Sequence, residues 1–198
     1  MRAVLILALA SLIPASMAHS QVWVGQTIRD AWSGETMTTT TTANHAVSSD
    51  PSALELMQAM GIRKRFDTDR TKGMNDAKQQ LLREYPNLTN AFVNEWAKKV
   101  SAQLNPDDYV AIAARVYSSH FSDDELDQLA QGQRNANAGR PSALPPALRD
   151  KLRRLLPTLA GEIAGGFAQT GANLGAQVAQ QVAKEHPDWI KRSPTASK

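Results

Sequence analysis

The stretch Asp67-Thr68-Asp69-Arg70-Thr71-Lys72-Gly73 has the residue types that open a calcium loop, with oxygen-bearing side chains at alternate places and a glycine for the sharp turn. The spacing does not fit that chemistry. The glycine falls one place late, and the closing position, where a bidentate glutamate completes the cage, is Lys78. The four histidines, His19, His45, His120 and His186, are scattered, and with no cysteine and no His-Glu-x-x-His pair a zinc site lacks its ligand set. His120 stands near Asp123 and Asp124 and can bind a metal weakly there, but a histidine in that place also suits the negative end of the preceding helix.

Acid-base hydrolysis needs two carboxylates flanking a cleft, and Glu95, Glu125 and Glu162 are available. Each has the setting of a solvated helix face. No Gly-x-Ser-x-Gly elbow, phosphate loop or dinucleotide fingerprint is present, which argues against nucleotide chemistry. Asn87-Leu88-Thr89 fits a glycosylation sequon and reads equally as a helix start. The expectation is a protein that is not an enzyme, with no catalytic, cofactor-binding or metal-binding set. What remains is charge. Arg63-Lys64-Arg65 forms one basic cluster, and Arg149, Lys151, Arg153 and Arg154 form another on a segment with a leucine stripe. The second combination suits an anionic partner, such as a lipid headgroup, a glycolipid or an acidic protein. A formal net charge of +3 is too small for a polyanion-binding surface, so no nucleic-acid partner is expected.

These residues sit on elements whose period is helical throughout. Asp50-Pro51 is an N-cap followed by proline at the first helical place, with Leu54, Met57 and Met60 on one face and Gly61 as the stop. A second helix carries Met74, Ala77, Leu81 and Tyr85 up to Pro86. A third runs from about Thr89 to Leu104 with Phe92, Trp96, Val100 and Leu104 facing the core. Asn105-Pro106-Asp107-Asp108 starts a fourth, ending near His120. Phe121, Ser122, Glu125 and Leu126 then make a capping box with a hydrophobic staple. The Ser122 hydroxyl alone is worth about 1 kcal/mol, a sufficient structural reason for the acidic cluster. Between Gly132 and Pro146 the period disappears, which predicts a long loop.

The apolar stripe then returns from Leu148 to Val182, with Pro157 and Gly165-Gly166 as candidate bends. Five glycines, Gly161, Gly165, Gly166, Gly171 and Gly175, cost this helix roughly 1 kcal/mol each relative to alanine. Close approach of another helix to the Gly/Ala face of residues 160–176, within the chain or in a homo-oligomer, would compensate. The fold class expected is all-α: an antiparallel helical bundle of about five to seven helices with a long, bent C-terminal helix or a helical hairpin.

The chain opens differently. Met1 and Arg2 precede an apolar run of roughly eleven residues that Pro14 ends, and Ala15-Ser16-Met17-Ala18 supplies small residues for a signal peptidase. A run of that length falls short of the ~20 residues that cross a bilayer. Cleavage is expected near Ala18 or Ser20, giving a periplasmic or secreted product without a transmembrane span. Without cysteine that product has neither a disulfide nor a bacterial lipid anchor. Residues 21–50 read as a flexible Thr/Ser-rich leader, 51–190 as one helical domain and 191–198 as a disordered tail.

The run Val116-Tyr117, Phe121-Ser122 and Glu125-Leu126, followed by a loop and a long helix bearing Pro157, resembles the bacterial exported family called domain of unknown function 2059. Met60-Gly61-Ile62 is similar to that family's earlier helix, and the resemblance runs over about residues 52–185. It departs after the Glu-Leu helix, where the family shows an aromatic pair and a Ser-Pro-x-Gly turn. This chain has instead a longer stretch with no aromatic residue. The resemblance implies a helical exported protein, periplasmic, with no known reaction and no catalytic residues to carry over.

The expected function is therefore binding in the periplasm or cell envelope to an unknown protein. Envelope lipid or anionic-glycolipid binding is the alternative, and cell-envelope hydrolysis the second. The lipid reading predicts that the mature protein co-sediments with anionic vesicles at low salt and that charge reversal at Arg149, Arg153 and Arg154 abolishes this. A protein that stays in the supernatant at low salt rejects it.

Overall fold

The computed structural model describes residues 50–190. The expected signal segment, the leader before Asp50 and the tail from 191 lie outside the described residues. Within them are six helices, α1 (Pro51–Met60), α2 (Ile62–Glu84), α3 (Asn90–Gln103), α4 (Pro106–His120), α5 (Asp123–Asn137) and α6 (Pro146–Glu185), then a 3-10 turn at Pro187–Trp189. There is no strand among the described residues, so the all-α helical bundle stands. The last segment is one helix with Pro157 inside it, which removes the hairpin alternative. The described residues fall into two compact units, one made of 50–69 and 105–167, the other of 70–104 and 168–190.

In the first unit, α1 packs on α5 and α4. Its start is held twice. Asp50 Oδ1 accepts the amides of Ser52 and Ala53 at 3.0 and 3.3 Å, and Oδ2 accepts the Ser118 hydroxyl of α4 at 2.5 Å. Its end is Gly61 at φ 65, a left-handed conformation in which a Cβ would be strained. Ala53, Leu56, Met57 and Met60 are buried beneath it. Tyr109 of α4 joins three elements, with its ring 4.5 Å from Phe66 of α2 and 4.9 Å from Phe167 of α6.

The stretch expected to be a loop from Gly132 is helical as far as Asn137. Its polar residues find partners across the unit that no local pattern announces. Arg134 pairs with Glu55 of α1, and Asn137 Nδ2 donates to the Ala59 carbonyl at 2.8 Å. Gln133, 7% exposed, bonds locally instead, donating one turn along its own helix to Asn137 Oδ1 at 2.9 Å. Gly132 faces Leu144, whose Cδ2 lies 2.9 Å from where a Cβ would sit. A larger residue there would displace the returning loop. Gly139, at φ 70, ends the helix, and residues 138–145 lead into α6.

The second unit has its own core, built from Leu81, Leu88, Phe92, Trp96, Val178 and Val182 among others. Trp96 is 2% exposed, and its indole N–H donates to the Gly175 carbonyl at 2.9 Å. That bond gives the buried ring its polar partner. Lys99 pairs with Glu185 at 3.0 Å, and the Thr89 amide donates to the Trp189 carbonyl at 3.2 Å, holding the 3-10 turn against the start of α3.

The α6 glycines divide by surroundings. A Cβ on Gly166 would lie 2.6 Å from Ile112 Cγ2 on α4, whereas Gly161 and Gly165 have nothing within 4 Å. Close packing inside the chain therefore accounts for Gly166 and not for the other two. Gly161→Ala and Gly165→Ala are each expected to raise stability by up to about 1 kcal/mol. Gly166→Ala is expected to lower it by about 1 kcal/mol, because crowding a β-branched neighbour outweighs the propensity gain. Urea denaturation midpoints check both signs.

Candidate functional site

Two features singled out separately, the cap at Phe121 to Leu126 and the basic cluster of α6, meet in the first unit. Phe121 and Leu126 are buried at 5% and 0% exposure. The Glu125 amide donates to the Ser122 hydroxyl at 3.4 Å, and the Glu125 carboxylate accepts the Ser122 amide at 3.0 Å. The same carboxylate accepts Lys151 Nζ at 2.6 Å, and that ammonium stands 4.9 Å over the Phe121 ring. Lys151, followed by the Ser122 amide, holds the Glu125 carboxyl below its ordinary value.

The other members of the cluster do not converge on one external point. Arg149 donates to the Leu144 carbonyl at 3.1 Å, tying down the loop before α6. Arg153 pairs with Asp150 at 3.1 Å on its own helix. Arg154 is exposed and makes no ion pair among the described residues. Lys151 and Arg149 thus hold α6 to the α5 start and to the loop, leaving Arg154 as the cation available to a partner.

The carboxylates considered for hydrolysis are also placed. Glu125 is in the cap, Glu162 Oε2 lies 2.9 Å from His120 Nε2, and Glu95 lies 3.7 Å from Lys98 on its own helix. Among the described residues no group of three or more His, Asp and Glu is arranged to hold a metal ion. No helix of the described residues is long and apolar enough to cross a membrane. The Tyr117 hydroxyl is buried without a hydrogen-bond partner among the described residues, and burial raises its pKa.

A groove is the remaining feature. It encloses about 720 Å³ where the end of α1, the start of α2 and the start of α4 come together. Its lining mixes Leu54, Met57, Ile62 and Val110 with Gln58, Arg63, Lys64, Asp67, Thr68 and Asp107, the buried Met57 and Ile62 forming its floor. The local chemistry that builds it is simple. Gly61, in its left-handed conformation, breaks the helix between Met60 and Ile62, so the last turn of α1 and the first turn of α2 adjoin at a single residue. Asp107 sits in the first turn of α4 and pairs with Arg63 at 2.7 Å across the groove, both side chains being about 60% exposed. Arg63 and Lys64 belong to the first basic cluster, but the sequence held no sign that Asp107, far along the chain, would join them.

Neither a family model, nor a curated protein, nor a solved structure matches the chain.

The cap carries a pH dependence whose sign follows from Glu125. A carboxyl held below its ordinary value of 4.5 in the folded state adds stability above that value and loses it as the pH falls further. Asp50, lowered first by the Ser118 hydroxyl bond, acts in the same sense from 3.8 downward. Stability is expected to drop as pH falls below about 4.5, and Glu125→Gln to shallow that drop while lowering stability at neutral pH. Thermal melts across the acid range measure both, and an unchanged acid slope in the variant would contradict this role for Glu125.

Proposed function

We propose that this chain is an exported, non-enzymatic helical protein that acts by binding in the periplasm or cell envelope, using the groove between α1, α2 and α4. The observation that carries the reading is the groove itself, which combines apolar side chains with charged and polar groups in a volume within the ~300–1,000 Å³ typical of ligand sites. Export rests on the signal-like segment before residue 20 and on the resemblance to the exported helical family.

Envelope-lipid binding through residues 149–154 has less support, because Arg149, Lys151 and Arg153 already have partners within the first unit. Envelope hydrolysis has less again. A general acid needs a carboxyl with a raised pKa, and Glu125, the available carboxylate with a resolved shift, moves the opposite way.

Native mass spectrometry on protein recovered from the envelope of its producing cell tests the proposal. The expected spectrum shows a chain beginning near His19 or Gln21, carrying a non-covalent ligand mass that Val110→Trp, placed to fill the groove, removes. A chain that retains Met1, or one that carries no ligand and crosslinks to no envelope component, overturns it.

A further inference from the structure

We infer that the groove takes a single-chain zwitterionic amphiphile, one acyl chain ending in a paired phosphate and ammonium headgroup of the phosphoethanolamine kind. The inference rests on the binding role proposed for this groove and adds the ligand's chemistry. Its charges are the argument. Arg63 and Asp107 neutralise each other at 2.7 Å. Lys64 and Asp67, which also line the groove, make no ion pair with each other or with another described residue. They therefore present one positive and one negative group.

Lys64 and Asp67 are three residues apart on α2, so their side chains rise from neighbouring points on one helix face, about 5–6 Å apart at Cβ. The pair therefore offers one cationic and one anionic contact to a headgroup that carries both charges close together, with the phosphate on Lys64 and the ammonium on Asp67. A simple anion would be repelled by Asp67, and a simple cation by Lys64. Thr68 and Gln58 add neutral polar groups to the same wall. Leu54 and Val110, both half-buried at the groove, give the acyl chain its contact. An open groove of about 720 Å³ has room for one chain and one headgroup.

The test is calorimetric titration of the mature protein with monomeric lauroyl lysophosphatidylethanolamine, with laurate and dodecyl maltoside as the anionic and neutral comparators. Lysophosphatidylethanolamine is expected to bind at least about tenfold more tightly than either comparator. Lys64→Glu and Asp67→Lys are each expected to weaken it about tenfold. The double swap Lys64→Asp with Asp67→Lys, which restores one charge of each sign, is expected to recover part of the loss. All of these positions are exposed, and unchanged circular dichroism confirms that the variants fold.

Equal binding of all three amphiphiles, or indifference to the Lys64 and Asp67 variants, overturns the headgroup assignment. The broader binding role then stands or falls on the envelope-recovered ligand. Failure of all three to bind overturns the inference too, and a Val110→Trp-sensitive ligand recovered from the envelope would show that the groove binds something else.

Discussion

A chain with no cysteine, and with no metal cluster among its described residues, depends on buried apolar surface to hold its helices, and much of that surface lies on α6. Its stripe supplies Leu148, Leu152, Leu159, Ile163 and Phe167 to the first unit and Val178 and Val182 to the second, all of them buried. Burying one such side chain is worth about 1.5–3 kcal/mol, and each helix that packs on the stripe needs it to offset the entropy of its own ordering. The stripe is continuous because the helix is. A proline inside α6 removes one backbone donor, yet Pro157 is exposed, on the side away from the buried residues.

Around that stripe, the charged groups mostly fasten helix starts and loop ends. Asp50 joins the α1 start to Ser118 of α4, and Glu125 joins the α5 start to Lys151 of α6. Arg134 and Asn137 join the α5 end to α1. Each such contact is worth little when exposed, on the order of 1 kcal/mol or less. Its larger effect is to settle which turn of one helix meets which turn of the next. The groove departs from this pattern, since Lys64 and Asp67 stand on a surface beside apolar side chains without an ion-pair partner among the described residues.

The sequence by itself determined the helices. Caps at Asp50, Thr89, Asn105 and Ser122, prolines at the first helical place and the stop at Gly61 are local chemistry, decided by bonds that span four residues or fewer. The buried positions followed as well, because a period near 3.6 names the face that must leave water, as Phe92, Trp96 and Val100 show. Tertiary structure alone decided the rest. The α5 extension past Gly132 depends on Glu55 and the Ala59 carbonyl, which lie far away in sequence, so a Gly- and Asn-rich stretch that reads as loop is held as helix. The basic cluster of α6 became an internal fastening because Glu125 and the Leu144 carbonyl meet it in space. The groove exists because Asp107 and Val110 of α4 meet the α1–α2 corner, and contacts of that range leave no period or spacing by which the sequence could announce them.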